Sequence, residues 1–440
     1  MIRFFLLFLS TSLIAQETDS LWTVEEVVGL ALEQNYDIRL ERNNLSIAEN
    51  NNTLGNAGFL PTIELNGTAG KTVQDTELLF ANGDGQSRTG AVSTSYNASA
   101  GLTWTLFDGL KMFATKDRLE EIQRSNQYLF RSQLQTTVSD VMKAYYNTAL
   151  EQERLALLEN TLKLSEERVK ISQDKYEVGK ASKLEFLQAQ VDYNADQSAY
   201  VKQKEIISVR KFQLIEFLAL QERDVNFKLD YNYELEGAPT EDEVIDAALH
   251  NNPDLNYLNS SREVALLSKI ELERQQWPSL DFNLGYSYSN LNAEAGFLQS
   301  NQSNGVNYGL TARMTLFDGF NQKRSIQNAR IQAESSQVVY EQARSQLTTA
   351  VRSAHLTYMN SVELADLERQ NLEVAQENEE IALERYRIGK SNPLELREAQ
   401  NNRLNAEVRY LEARNTAKIA EIELKRLSGL LLEQDSQSAQ

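Results

Sequence analysis

Two periods alternate along this chain. From Leu280 to Tyr288 apolar and polar residues take turns one for one: Leu280, Phe282, Leu284, Tyr286 and Tyr288 share one face, and Asp281, Asn283, Gly285 and Ser287 the other. After a stretch rich in Asn, Ser and Gly the alternation resumes, with Val306, Tyr308, Leu310, Ala312, Met314 and Leu316 opposed to Asn307, Gly309, Thr311, Arg313 and Thr315. A period of two predicts strands, and two such runs around a turn-rich segment predict a hairpin. An earlier region reads the same way, with Ile63 and Leu65 going out and Tyr96, Ala98, Ala100, Leu102, Trp104 and Leu106 coming back. Four strands result, each of about ten residues or slightly more, the length that a tilted transmembrane strand needs.

Elsewhere the period is helical. Thr23 with Glu26, and Thr240 with Glu243, have capping-box spacing, and helical sequence follows each to about Asn56 and Gln276. Asp108 and Asp318 are suited to N-cap a helix. After each, some seventy residues pass without proline before the glycine of a shared Tyr-x-x-Gly-Lys motif, enough for a helix of about 100 Å. Leu155, Leu158, Leu162 and Val169 follow three- and four-residue steps and predict a coiled-coil seam. Gly179 and Gly389 permit left-handed helix ends, and Pro393 suits the first turn of a returning helix. Return helices are expected over about Leu184–Leu218 and Pro393–Leu430, and Val225 to Tyr233 alternates briefly as a small strand outside any bilayer.

The same elements are written twice. Thr105-Leu106-Phe107-Asp108-Gly109 recurs 210 residues later as Thr315-Leu316-Phe317-Asp318-Gly319, and Tyr176, Gly179, Lys180, Leu184 and Glu185 recur at the same displacement as Tyr386, Gly389, Lys390, Leu394 and Glu395. Upstream the displacement is 217, as in Thr23 to Thr240, Asn35 to Asn252 and Pro61 to Pro278. The change of seven falls between Pro61 and Thr105, where the polar run Asn82 to Ser87 marks an exposed loop. The expected organisation is an export signal over 1–15, a first repeat over 16–220, an inter-repeat segment over 221–239, a second repeat over 240–430 and a tail over 431–440.

Composition narrows the function classes. Five prolines in 440 residues favour long helices, and a formal charge of -19 argues against a nucleic-acid partner, which requires a basic patch. Arg3, the apolar run Phe4 to Leu9, and Leu13-Ile14-Ala15 before Gln16 read as an export signal; an N-terminal anchor helix is the alternative, and the run is short for one. The absence of cysteine excludes disulfides, thiolate metal sites and lipid attachment through an N-terminal Cys. No later segment offers about 20 continuous apolar residues, so entry into a membrane must use the strands. Four amphipathic strands cannot close alone, because an edge exposed to lipid leaves backbone groups unsatisfied at several kcal/mol each. Several chains must therefore share one barrel, with the Asn, Ser, Thr and Gly faces inward around water. The alternative is a soluble β-sandwich edge on a coiled-coil stalk.

In the order and duplication of these elements the chain resembles the TolC-like outer-membrane efflux family over nearly all of its mature length. That resemblance implies an α+β membrane protein of the outer membrane with a large periplasmic portion. It also implies a homotrimer whose twelve strands form one barrel and whose long helices form a periplasmic α-helical barrel. A periplasmic adaptor and an inner-membrane transporter are the implied partners, the outer-membrane lipid the implied surroundings, and no cofactor is required. Carried over by position, Glu395 and Glu398, six and nine residues after Gly389, correspond to the carboxylates that ring the periplasmic aperture in the family. In the first copy the same offsets give Glu185 and Gln188. Tyr386 is retained three residues before the glycine, while Ser391 stands where the family prototype has a latch arginine. A solvated helical face is the other reading of Glu395 and Glu398. The turns at Gly179-Lys180 and Gly389-Lys390 are the candidate adaptor-docking tips; otherwise Leu184 and Leu394 pack the tips and the lysines cap helix ends.

The chemistry of an enzyme is missing from the pattern. His250 and His355 lie far apart without metal-ligand spacing, and no phosphate-binding loop ends in Gly-Lys-Ser/Thr. Glu377, Glu379 and Glu380 fall on helical sequence, where a solvated face explains them. Two functions from different classes remain: a passive export duct, and a structural envelope protein that spans the periplasm without conducting.

Overall fold

A computed structural model describes residues 20–220, 226–237, 239–296 and 298–432. The expected export signal and residues 433–440 of the expected tail lie outside them. The first copy runs β1 (Ser20–Trp22), α1 (Val24–Gln34), α2 (Tyr36–Asn51), β2 (Thr62–Leu79), β3 (Gly85–Phe107), α3 (Lys111–Glu177) and α4 (Lys183–Phe217). The second runs β4 (Phe227–Leu229), α5 (Glu241–Asn251), α6 (Pro253–Arg274), β5 (Ser279–Ala293), β6 (Ser300–Arg313), α7 (Asn321–Arg387) and α8 (Pro393–Ser428). The duplication read from sequence is thus a duplication of elements, and α3 and α7 have the same length, 67 residues.

Both capping boxes form: the N–H of Thr23 donates to Glu26 at 3.0 Å and that of Thr240 to Glu243 at 2.9 Å. The single helix expected after each box is instead two. Asn35 ends α1, and its Oδ1 accepts from the N–H groups of Asp37 and Ile38 at 2.9 and 3.2 Å, which opens α2. Its Nδ2 donates to the Phe217 carbonyl at the end of α4 (2.9 Å), as Asn252 Nδ2 does to Leu427 at the end of α8 (3.0 Å). One asparagine per copy therefore ends a helix and fastens the joint to the return helix, and in the first copy it also opens the next helix.

The chain divides into two compact units, one of Met1–Leu40, Ser132–Asn252 and Gln346–Gln440, the other of Glu41–Arg131 and Pro253–Ser345. In the described part of the first, Val27, Val141, Leu214, Phe227 and Ile422 belong to one buried cluster. The expected inter-repeat strand is present as β4, three residues long, and it pairs in parallel with β1, with Trp22 stacked on Phe227 at 4.4 Å. Tyr145 donates to the carbonyls of Trp22 and Asp230 at 2.8 and 2.9 Å, and burial pushes its phenol up. The coiled-coil seam differs from expectation. Leu155, Leu158, Leu162 and Val169 are only half-buried, whereas Leu157, Ser165, Arg168 and Ser172 are buried. The reason is polar: Arg168 bonds to Asp192 on α4, and Ser165 donates to Asp196. On α8 the buried positions Ala399, Ala406, Ala413 and Ala420 are spaced by seven, a heptad of small residues that lets helices approach closely.

The second unit holds an antiparallel sheet in the order β2-β3-β5-β6. Its strands are 18, 23, 15 and 14 residues long, more than the ten or so expected. β3 leaves β5 beyond Ser93↔Ala293, and past an irregularity at Gln74/Thr76 the β2–β3 ribbon continues beyond the four-stranded ladder, tied to the segment after β5 by Arg88 on Glu294 at 3.2 Å. The run Asn82 to Ser87, expected as a loop, is a tight turn plus the first residues of β3: Phe80 N–H donates to Asp84 at 2.8 Å around Gly83 (φ +92°). The seven additional residues of the first copy thus lengthen a hairpin. β6 stops at Arg313, opposite Ser279, so Met314 to Leu316 are not strand; Pro278, just before β5, has no N–H with which to extend the ladder.

At each Phe-Asp-Gly corner the helix starts three residues after the aspartate expected to cap it. Gly109 and Leu110 (φ +74° and +68°) and Gly319 and Phe320 (φ +70° and +65°) make a left-handed step in between. Asp318 still serves the first turn, since its Oδ2 accepts from the N–H of Gln322 at 2.7 Å. Gly109 is required by space as well as by φ, because a Cβ there would lie 2.5 Å from Trp277 Cβ and 2.6 Å from the Arg274 carbonyl.

Candidate functional site

The sheet has two chemically distinct faces, and register makes them continuous across all four strands. One face stacks Ile63, Leu102, Leu284 and Tyr308 in a row, then Leu65, Ala100, Tyr286 and Val306, with Trp104, Phe282 and Leu310 alongside. Ile63, Leu65 and Tyr308 are 72 %, 82 % and 79 % exposed, far beyond what a water-facing sheet surface explains. The other face carries the rows Thr62, Thr103, Asn283, Gly309 and Thr68, Asn97, Ser289, Ser303. These are cross-linked: Thr103 donates to Asn283 at 3.3 Å, Asn283 to Thr311 at 3.1 Å, Asn97 to Thr68 at 3.2 Å, and Ser289 to Asn97 at 2.7 Å. β2 and β6 each have one neighbour, so both outer edges present unpaired backbone groups. Among the described residues no helix is long and apolar enough to cross a membrane.

The two helical tips are built alike in the other unit. Gly179 and Gly389 are left-handed at +71° and +73°, and the N–H groups of Lys180 and Lys390 close the helix ends on Lys175 and Arg385 at 2.7 and 2.8 Å. Ser182 and Asn392 then cap α4 and α8 by accepting from Glu185 and Glu395 N–H at 3.3 and 2.8 Å, with Pro393 in the first turn of α8. Backbone groups thus satisfy the helix ends without the lysine side chains. Lys180 and Lys390 are exposed, and Leu184 and Leu394 are each 74 % exposed, which overturns the alternative in which these leucines pack the tips.

The candidate aperture residues do not share one environment. Glu185 and Glu398 are exposed. Glu395 pairs with Arg385 at 2.8 Å and accepts from Ser391 at 2.7 Å, so the residue in the prototype's arginine position binds the neighbouring carboxylate. Tyr386 is buried with Ala382, Leu396 and Ala399, and the Lys175 ammonium sits 4.0 Å above its ring. Its counterpart Tyr176 stacks instead on Phe186 and is 40 % exposed.

A buried ionic group was missed by the sequence reading. Arg397 on α8 binds Asp196 on α4 through both terminal nitrogens, at 2.9 and 2.8 Å. Arg168 on α3 binds Asp192 at 2.7 Å. Bonds from Asp196 hold the Arg397 guanidinium above its ordinary range, while burial draws Arg168 below it. The repeat itself carried the signal: at a displacement of 210, Asp192 and Asp196 correspond to Asn402 and Ala406, and Arg397 to Leu187, so the copies diverge in charge at these positions.

Comparison with known proteins agrees with this geometry. The outer membrane efflux protein family model matches residues 27–217 and 244–430, one segment in each copy. Among solved structures the chain is similar to the Campylobacter jejuni CmeC outer membrane channel, at 17 % identity and a TM-score of 0.76 over 94 % of this chain and 88 % of that one. It is also similar to the open state of the Neisseria gonorrhoeae MtrE outer membrane channel, at 19 % identity and 0.73 over 93 % and 89 %. The outer membrane protein VceC of Vibrio cholerae gives 14 % identity and 0.74 over 92 % and 96 %.

Proposed function

The chain belongs to the outer membrane efflux protein family, and on that premise we propose that it assembles as a homotrimer, twelve strands closing one barrel, and acts as the passive exit duct of a tripartite efflux pump or type I secretion system. The observation that carries this is the two-faced sheet with two open edges: a membrane tolerates the apolar face, water the polar face, and neither tolerates the edges unless copies pair them. Native mass spectrometry of detergent-extracted protein tests it. A trimer is expected, and a folded monomer as the main species contradicts it.

An inner-membrane transporter supplies the energy and a periplasmic adaptor joins it to this chain; the paired tips are the adaptor-docking sites, and Glu398, Glu185 and Glu395 contribute to the periplasmic aperture beside Tyr386. The exposed Leu and Lys of each tip exceed what turning a chain requires. Of the three carboxylates, Glu395 is partly neutralised by Arg385, so Glu185 and Glu398 carry most of the field. The two roles separate by substitution. Lys180→Glu with Lys390→Glu is expected to weaken adaptor capture about tenfold and to leave ion selectivity intact. Glu398→Gln is expected to lower cation preference and multivalent-cation block while leaving capture intact. If both variants behave as wild type in both assays, neither assignment stands.

A further inference from the structure

One carboxylate breaks the neutrality of the sheet's polar face. From Ser279 to the irregularity at Gln74, the residues of that face are Thr, Ser, Asn, Gln and Gly, with Ala91, Leu291 and Ala293 farther along and only three charged side chains: Glu64, Asp281 and Arg313. Asp281 pairs with Thr311 and Ser279 with Arg313, so Asp281 and Arg313 are diagonal neighbours of opposite sign on adjoining strands. Asp281 also accepts from Thr105 at 2.8 Å. Glu64 has no such companion within its own chain. Its row continues through Gly101, Gly285 and Asn307, two positions without side chains followed by a neutral one. A Cβ at Gly101 would have nothing within 4 Å, so the space beside Glu64 is open. Glu64 is exposed and, among the described residues, enters no side-chain hydrogen bond or ion pair.

We propose that Glu64 is a specificity-determining residue of the barrel lumen, favouring cationic over anionic solutes. The assignment rests on the shared-barrel reading: closure sets β2 of one copy beside β6 of the next, and each chain brings two carboxylates, Glu64 and Asp281, but one guanidinium, Arg313, to the water-filled passage, so the passage keeps a net negative charge that Glu64 supplies. Open water screens such charges strongly. The Debye length is about 10 Å at 0.1 M salt and about 3 Å at 1 M, so the preference belongs to dilute and physiological salt and fades in concentrated salt.

The test is the reversal potential of reconstituted wild-type and variant trimers under a KCl gradient at or below about 0.1 M. Glu64→Gln is expected to lower the cation-to-anion permeability ratio about twofold, and adding Gly101→Asp to restore it, because the carboxylate returns to the open neighbouring place in the same row. The native chain has no cysteine, so Glu64→Cys gives a single thiol. A sulfonate-bearing thiol reagent should raise the ratio in those trimers and a quaternary-ammonium reagent should lower it. This second variant decides the matter if the glutamine variant fails to assemble. Conducting Glu64→Gln trimers with the wild-type ratio, or Glu64→Cys trimers with equal ratios after the two reagents, overturn the assignment. Wild-type trimers that do not conduct overturn the duct reading beneath it.

Discussion

Leu65→Arg is expected to abolish extractable trimers, whereas Asn66→Arg, one residue further along the same strand, leaves them assembled. Leu65 lies in a row with Ala100, Tyr286 and Val306, all on the apolar face, and is 82 % exposed in the single chain. An arginine facing lipid near the middle of a transmembrane strand costs about 2–4 kcal/mol, and a trimer meets that cost three times. Asn66 lies in a row with Ser99, Ser287 and Gly305 on the polar face, where an arginine remains in water. Extraction from membranes followed by native mass spectrometry reads both variants. The contrast between adjacent residues distinguishes a barrel wall from a soluble sheet, which would tolerate both changes about equally. Trimer yields that fall alike for the two variants argue against the assignment of faces.

Arg397→Leu is expected to destabilise the helical unit by about 3 kcal/mol, the usual cost of leaving one member of a buried ion pair without its partner. The loss follows from burial and geometry together. Asp196 is 8 % exposed, receives both terminal nitrogens of Arg397, and also accepts from Ser165. Without Arg397, that carboxylate keeps a hydroxyl and loses its counter-charge. Adding Asp196→Leu should recover most of the loss, since removing both partners deletes the desolvated charge as well as the bond. The apparent unfolding midpoint and the lifetime against protease report the effect. A single variant as stable as wild type would mean that water reaches Asp196 and screens it.

The parts of this fold that were legible in the sequence are those dictated by period and backbone rule. Strict alternation around Phe282 and Tyr308 identified strands and their faces, because each β-residue is forced to one side or the other. Thr23 with Glu26, and Gly389 with Pro393, identified helix ends because few residue types satisfy those geometries. What escaped was decided between elements distant in sequence. Asn35 was legible as a repeated residue, but the bond that fastens its helix joint to Phe217, 182 positions away, was not. The seam of α3 was assigned to leucines because apolar residues usually fill seams, yet Ser165 and Arg168 are buried where Asp196 and Asp192 reach them from α4. The seven-residue alanine spacing on α8 was visible in principle. Alanine is so common in helices that only burial distinguishes such a heptad from helix propensity. For the candidate site, the sequence located the two tips and their acidic residues. Tyr386 beneath Lys175 depends on how helices from the two copies pack at the tips, and Glu395 against Arg385 on how α7 and α8 meet across one tip.

In single-channel recording from purified wild-type protein in a planar bilayer, current flows only if the shared barrel, the polar inward face and the duct function all hold. Discrete, long-lived conductance steps are expected of such a duct, from a species that native mass spectrometry identifies as a trimer. Inserted trimers that stay electrically silent, even when substitutions at Glu185, Glu395 and Glu398 remove the carboxylates of the aperture, would contradict it and leave a non-conducting envelope protein as the better description.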